Sequence, residues 1–215
     1  MLELLTGTGL ATAAGLNAAL PLLVLGVLDR WTTLVELPAA WGWLSDPWVL
    51  AILAALLLLE VVADKVPGLD HLNDVVQTVV RPTAGGLAFG AGSGAQTAAV
   101  TDPASFFTSN AWVPVAIGVV MALVVHTGKA LSRPVVNVAT AGLGTPVVSA
   151  AEDATSLALS LAAVLVPLLV IVLLGALVVG AVRLRRGRGR RRGGPGSGTA
   201  DAADDRARGP AGSAA

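Results

Sequence analysis

The run Trp48-Val-Leu-Ala-Ile-Leu-Ala-Ala-Leu-Leu-Leu-Leu-Glu-Val-Val-Ala-Asp-Lys65 decides the fold class of this chain. As a helix rising 1.5 Å per residue, it extends about 25 Å, enough to cover most of a hydrocarbon core of about 30 Å. Glu60 and Asp64 lie near its end, four residues apart and therefore on one helix face. A carboxylate at that depth is costly unless it is paired, protonated or facing water, which makes Glu60 a candidate functional residue.

Composition extends this interpretation to the whole chain. Hydrophobic residues make up 54% of the 215 and charged residues 13%, a balance typical of a membrane protein. Cysteine is absent, which excludes thiolate metal sites, and the presence of only two histidines argues against a multi-histidine site, so no metal is assigned. No phosphate-binding loop, zinc-protease motif or serine-nucleophile elbow is present. We therefore expect no catalytic residue, no cofactor and no nucleic-acid partner.

Hydropathy predicts an all-α polytopic membrane helix bundle of about six segments. Four are strongly apolar and two are weaker, rich in Gly and Ala, and either full spans or re-entrant elements. A further amphipathic helix, Pro67 to Arg81, is expected at the inner interface, with its apolar face towards acyl chains or the bundle. The strong segments are 4–28, 48–64, 112–128 and 155–182, and the weak ones are 83–100 and 135–151.

Loop charges predict the orientation. With six crossings and a cytoplasmic N-terminus, the basic residues gather on the inner side, whereas Glu152 and Asp153 fall on the outer side as an exposed helix start. The predicted location is the cell (plasma) membrane, with both termini cytoplasmic. Residues 1–186 form the bundle, and 187–215 form a disordered cytoplasmic tail, rich first in Arg and then in Gly, Ala and Asp. The Arg183–Arg192 cluster is expected to contact anionic lipid of the bilayer.

Glu60 and Asp64 are the candidate site for a proton or cation. A carboxylate in an apolar helix can load and release a proton, and two carboxylates one turn apart can share a cation. The structural alternative is that Glu60 extends towards the inner interface or pairs with a base on a neighbouring helix, such as His126 or Lys129.

His126, Lys129 and Arg133 are candidate counter-charges. Their i, i+3, i+7 spacing places them on one helix face, which could oppose Glu60 and Asp64 at the same depth. The alternative is an anchoring belt on lipid phosphates. Asn17, inside the first apolar segment, is a polar candidate near the membrane midplane.

Gly86, Gly90 and Gly94 form a stripe of small residues at four-residue spacing. Such stripes let helix backbones approach closely in lipid, so the stripe predicts a helix-packing seam. The same seam is compatible with a homo-oligomer.

Five stretches together resemble a bacterial multi-pass membrane family called domain of unknown function 4126. The resemblance covers nearly everything except the Arg-rich tail and implies no particular activity. The stretches are Gly9–Pro21, Glu60–Asp74, Arg81–Gly86, Thr101–Phe107 and Gly142–Asp153.

The sequence favours a small transporter or channel-like protein, coupled to protons or cations through Glu60 and Asp64. The alternative is a non-transporting scaffold or assembly partner that uses the small-residue seams and the basic tail to hold lipid or other membrane proteins.

Overall fold

The computed structural model describes residues 1–63, 69–94, 110, 112–140 and 144–192. All regular elements in these ranges are helical, and they contain no strand. The elements are α1 (Leu2–Leu16), α2 (Ala19–Trp31), a 3₁₀ helix (Ala39–Ser45), α3 (Pro47–Ala63), α4 (Leu69–Gly92), α5 (Trp112–Thr140), α6 (Thr145–Leu165) and α7 (Pro167–Arg192).

Two described helices are long and apolar enough to cross a bilayer, α6 and the Trp112–Val136 part of α5. The 3₁₀ helix and α3, bent by 62° at their junction, add a third if they are counted as one span. Several helices also bury polar side chains within the bundle and expose apolar side chains on its surface. In α4 the side chains of Val75 and Val79 are exposed, whereas Gln77 and Arg81 are buried. Such apolar helices indicate a membrane protein, and the described residues contain two or three such spans, which does not confirm six.

The predicted first span, 4–28, is not one helix, because it breaks at Asn17. This residue has extended backbone angles (φ −144°, ψ 122°) between α1 and α2. Its side-chain oxygen accepts hydrogen bonds from the backbone N–H groups of Ala19 and Leu20, at 3.2 and 3.1 Å. Asn competes in this way with helical hydrogen bonding and favours helix starts, which explains the break inside an apolar run.

α1 and α2 run in opposite directions, and the positions at which they meet α6 show this. Asn17, at the turn, contacts Asp153 in the first half of α6. Thr6, near the start of α1, donates to the carbonyl of Ala163, ten residues further along α6. Leu25, in the second half of α2, lines a small cavity together with Thr6 and Val164. The pair is therefore a helical hairpin with its tip at Asn17, and its arms, about 22 and 20 Å long, are each shorter than a hydrocarbon core of about 30 Å.

The two weak segments are not separate elements either. Residues 83–92 continue the predicted amphipathic helix through Pro82 as the single helix α4, and 95–100 lie outside the described residues. Residues 135–140 end α5, which runs through Pro134, and 145–151 begin α6.

The strongest predicted span, 155–182, is also divided. It breaks at Val166, because a residue before proline is disfavoured in the helical region. Its first part begins ten residues earlier than predicted, at Thr145. Glu152 and Asp153 therefore lie within α6 and are half-buried, so the prediction of an exposed outer helix start is wrong.

Small residues allow the central packing. Nearly every side chain of α1 from Gly9 to Leu16 is buried, and α1 packs against α4, α5 and α6. A Cβ added at Gly86 would lie 2.9 Å from Val119 of α5, and one at Gly90 would lie 2.6 Å from the ring of Trp41. At Gly86 and Gly90, therefore, the predicted helix-packing seam packs against other parts of the same chain. Gly94 lies in the left-handed region (φ +65°) and ends α4 instead.

Contacts divide the chain into two units. Met1–Leu174 contains α1 to α6 and the start of α7. Gly175–Ala215 is described as far as Arg192, as the rest of α7, where Arg183 is exposed. The predicted boundary at residue 186 stays a prediction.

Candidate functional site: an ionic cluster at the tip of the α1–α2 hairpin

The C-terminal end of α1 is bound by polar side chains from three helices. A helix end leaves its last carbonyl groups without intrahelical partners. Ser156 of α6 donates to Ala13 O at 2.9 Å, Arg81 Nη1 of α4 donates to Gly15 O at 3.3 Å, and Lys129 Nζ of α5 donates to Leu16 O at 3.0 Å. Two cations therefore lie at the negative end of the α1 dipole, the end where positive charge is stabilised.

Asn17 connects the tip to α6. It is fully buried, and its Nδ2 donates to Asp153 Oδ1 at 3.0 Å. Since its Oδ1 simultaneously accepts from the first backbone N–H groups of α2, this one side chain joins the start of α2 to α6. The sequence-predicted polar residue in the first segment is thus the turn of the hairpin.

Glu60 forms a buried ion pair with Arg81. Arg81 Nη2 lies 2.7 Å from Glu60 Oε1, and the two side chains are 0% and 4% exposed. Arg81 Nη1 also lies 3.5 Å from His126 Nδ1, and His126 Nε2 lies 3.2 Å from Thr78 Oγ1. A guanidinium has only donors, so Nδ1 is the acceptor, and a neutral His126 then carries its proton on Nε2 and donates to Thr78. Among the described residues, Glu60 therefore pairs with Arg81, whereas the sequence suggested His126 or Lys129.

Lys129 and Arg133 share one carboxylate on α6. Glu152 Oε2 lies 2.9 Å from Lys129 Nζ and 3.6 Å from Arg133 Nη2. With His126, these residues form one buried face of α5, as their spacing predicts. Because that face is directed into the bundle, the alternative of a belt on lipid phosphates does not describe its geometry.

Within the described residues, the cluster is formally neutral. Three carboxylates, Glu60, Glu152 and Asp153, accompany three cations, Arg81, Lys129 and Arg133. Burying a charge costs several kcal/mol unless it is paired, so this balance is what allows six ionisable groups to lie in an apolar bundle. Chemically, such a network can change its pairing when one member gains or loses a proton.

The predicted site residues have different outcomes. Glu60, Asn17, His126, Lys129 and Arg133 meet in or beside the cluster, whereas Asp64 lies outside the described residues. Among the described residues, no group of three or more His, Asp or Glu side chains is arranged to hold a metal ion.

Sequence reasoning missed Arg81, Glu152, Asp153 and Ser156 as site residues. The sequence places Arg81 at the end of the expected interfacial helix, opposite its apolar face, and Glu152 and Asp153 at an exposed outer helix start. One sequence signal could have identified these three charged residues as buried. Each lies beside a stretch of apolar or small residues that can continue the helix past it. Ser156 has no comparable signal, since a serine inside a membrane helix is common.

Comparison with known families gives one match. Residues 4–186 match the family described as Domain of unknown function (DUF4126). The chain belongs to this family. No curated protein and no solved structure matches it. The DUF4126 match contains every residue of the ionic cluster and most of α7, and it ends within the Arg183–Arg192 run. The cluster is therefore a feature of the DUF4126 domain itself and not of the tail.

Proposed function

We propose that this DUF4126 protein is a small membrane transporter coupled to protons or cations, and that the ionic cluster is its coupling site. The observation that carries the proposal is the α1–α2 hairpin, whose tip meets Arg81 and Lys129 inside the bundle. Transporters use discontinuous helices of this kind near the membrane midplane, where helix ends and unwound carbonyls hold ions and substrates. Irregular backbone is tolerated at such depth where it is buried in protein or lines a cavity.

Glu60 is the proposed titrating group. Proton uptake would neutralise its carboxylate and end the ion pair, and Arg81 would keep the Gly15 carbonyl and His126 as partners. Within α3 only Leu50 and Glu60 are buried. Releasing Glu60 would therefore loosen one end of α3, which gives protonation a means of moving a helix. Asp64, one turn further on, is the proposed second acidic group, and His126, Lys129 and Arg133 remain the proposed counter-charges.

The proposed topology follows the hairpin. Its two arms return to the same end of the bundle, so the start of α1 lies at the end of α2 and not across the membrane from it. If the N-terminus is cytoplasmic, as the loop charges favour, the end of α2 is cytoplasmic too. The Arg183–Arg192 cluster is proposed to lie on anionic lipid at the cytoplasmic face of the plasma membrane.

The topology can be tested with single cysteines, since the chain has none of its own. Glu3→Cys and Arg183→Cys should react with a membrane-impermeant maleimide only after the cells are permeabilised. Labelling of either position in intact cells would overturn the cytoplasmic location of that end of the chain.

The transport proposal is tested by flux. Purified protein in liposomes containing a pH-sensitive dye is exposed to gradients of H⁺, Na⁺ and K⁺. Glu60→Gln should abolish the proton signal, Glu60→Asp should retain part of it because a carboxylate remains, and Glu36→Gln, at an exposed carboxylate, should behave like wild type. Unchanged flux in folded Glu60→Gln protein would remove Glu60 from the mechanism. Absence of flux for every ion in wild type would reject transport.

The scaffold alternative has no comparable support in the described residues. Gly86 and Gly90, which it would use to bind partners, pack against α5 and Trp41 of the same chain. A scaffold, or a homo-oligomer, would have to use another surface.

A further inference from the structure

A cleft of about 350 Å³ lies between α2, α3 and α4. Its walls are apolar, formed by Leu22 of α2, Leu53 and Leu56 of α3, and Val80 and Leu87 of α4. This volume is at the lower end of the range for small-molecule sites, which are mostly apolar with a few placed polar groups. Among the described residues, three polar side chains line the cleft, those of Glu60, Gln77 and Thr83.

These polar residues offer hydrogen-bond acceptors. Glu60 contributes a carboxylate. Gln77 is 6% exposed, and its buried Oε1 receives no hydrogen bond from the described residues. The hydroxyl of Thr83 donates to Val79 O at 2.8 Å, which leaves its oxygen as an acceptor. Burying an acceptor without a donor is unfavourable, so a ligand that supplies an N–H to Gln77 would recover that loss.

We propose that the cleft binds an amphiphilic primary amine. Its alkyl body would lie against the leucine and valine walls, and its ammonium group, with three N–H donors and no acceptor, would lie between Glu60 and Gln77 Oε1. A carboxylate or phosphate head group brings no N–H donor to Gln77 Oε1 and adds an acceptor beside Glu60, which disfavours anionic amphiphiles. The cleft thus selects by donor count, and its walls select for an apolar body.

This site is coupled to the ionic cluster through Glu60. An ammonium group at Glu60 competes with Arg81 for the same carboxylate, and Arg81 retains the Gly15 carbonyl as an alternative partner. The inference rests on the proposed function in one respect, since it names the substrate class that the Glu60 site would couple to protons. Binding itself requires no transport and is measured separately.

Binding is tested by equilibrium dialysis of radiolabelled octylamine against the full-length protein in lipid nanodiscs, with empty nanodiscs as the blank. We expect saturable binding of one molecule per chain. Octyltrimethylammonium has the same charge and no N–H donor, and should bind at least tenfold more weakly. Octanoate should not compete.

Two variants locate the site. Leu56→Trp adds bulk at a side chain that is 48% exposed and lines the cleft, so it should abolish binding without disturbing the core. Leu58→Trp, on the same helix at a position 67% exposed and outside the cleft, is the matched control and should bind like wild type. Gln77→Leu should weaken binding about tenfold through loss of the acceptor. Thermal unfolding confirms that each variant is folded.

Each contrary result has a definite meaning. Absence of saturable binding, equal binding of octyltrimethylammonium, or wild-type binding by Leu56→Trp would each overturn the amine site. If octylamine binding fails while Glu60-dependent proton flux persists, only the cleft assignment falls. If octylamine binds as expected and no flux occurs, the cleft assignment stands and the transport proposal falls.

Discussion

The buried pair Glu60–Arg81 should be strongly coupled in stability. Removing one partner of a buried ion pair typically costs about 3–5 kcal/mol, because the other charge stays buried. Glu60→Leu removes the carboxylate beside the Arg81 guanidinium, and Arg81→Met removes the guanidinium beside the Glu60 carboxylate, in each case from a pair whose side chains are at most 4% exposed. We therefore expect each single variant to lose about 3–5 kcal/mol of unfolding free energy.

The double variant should lose less than either single variant. It buries no charge, and its main loss is the hydrogen bond from Arg81 to Gly15 O, worth about 1–3 kcal/mol if that carbonyl stays without a donor. The coupling energy of the cycle is then at least about 3 kcal/mol, at the upper end of values for contacting residues.

The cycle is measured by reversible unfolding in mixed micelles with increasing dodecyl sulfate, followed by tryptophan fluorescence. Arg30→Met is the matched control, because Arg30 is exposed and its contacts in the described residues are a hydrogen bond to Ser45 O and the face of the Trp31 ring, whose effect on fluorescence is read from the folded baseline. It should leave unfolding unchanged. Additive effects within about 0.5 kcal/mol for Glu60→Leu and Arg81→Met would refute the reasoning, since the two groups would then be independently solvated.

Three further predictions concern the helix packing, the hairpin and the ionic cluster, and each is checked by the thermal stability of the purified protein. Gly85→Ala should destabilise the protein by about 1–3 kcal/mol, because the new Cβ would overlap Ala122 and approach Gly118 O at 2.8 Å. In the control Gly128→Ala the new Cβ has nothing within 4 Å, so stability should be unchanged or raised. Equal effects of the two substitutions would contradict the packing at Gly85. Asn17→Leu should lower stability by at least about 1–2 kcal/mol, because the cap on α2 is lost. Asn17→Asp should lower it more, because the new carboxylate would face Asp153. A milder effect for Asn17→Asp would argue against the contact between Asn17 and Asp153. Glu152→Gln should destabilise by about 3–5 kcal/mol, since Lys129 and Arg133 share this carboxylate, and stability equal to wild type would mean that water solvates them.

Much of the helical content could be predicted from the chain alone. Runs of Leu, Val and Ala specify apolar helices, and a carboxylate inside such a run, Glu60, stands out without any structure. The shared face of His126, Lys129 and Arg133 also follows from helical periodicity, because residues three and four apart lie on one side of any helix.

The path of the chain through the bundle could not be predicted in the same way. Hydropathy measures how apolar a segment is, but it does not report direction, so a hairpin turned by the single residue Asn17 looks like one continuous span. Pro82 and Pro134 lie inside helices, whereas Pro167 follows a break, and the sequence contains no local difference that separates these outcomes.

The sequence by itself determined that the chain is helical and apolar, because these properties depend on local composition and on the repeat of the helix. Only the tertiary structure decided which charges pair, because Glu60 meets Arg81 21 residues away and Asn17 meets Asp153 136 residues away. Pairing follows from the need to neutralise every buried charge, and that need acts on the whole bundle after the helices have packed. The candidate site therefore belongs to the packing of α1 to α6, and no single stretch of sequence contains it.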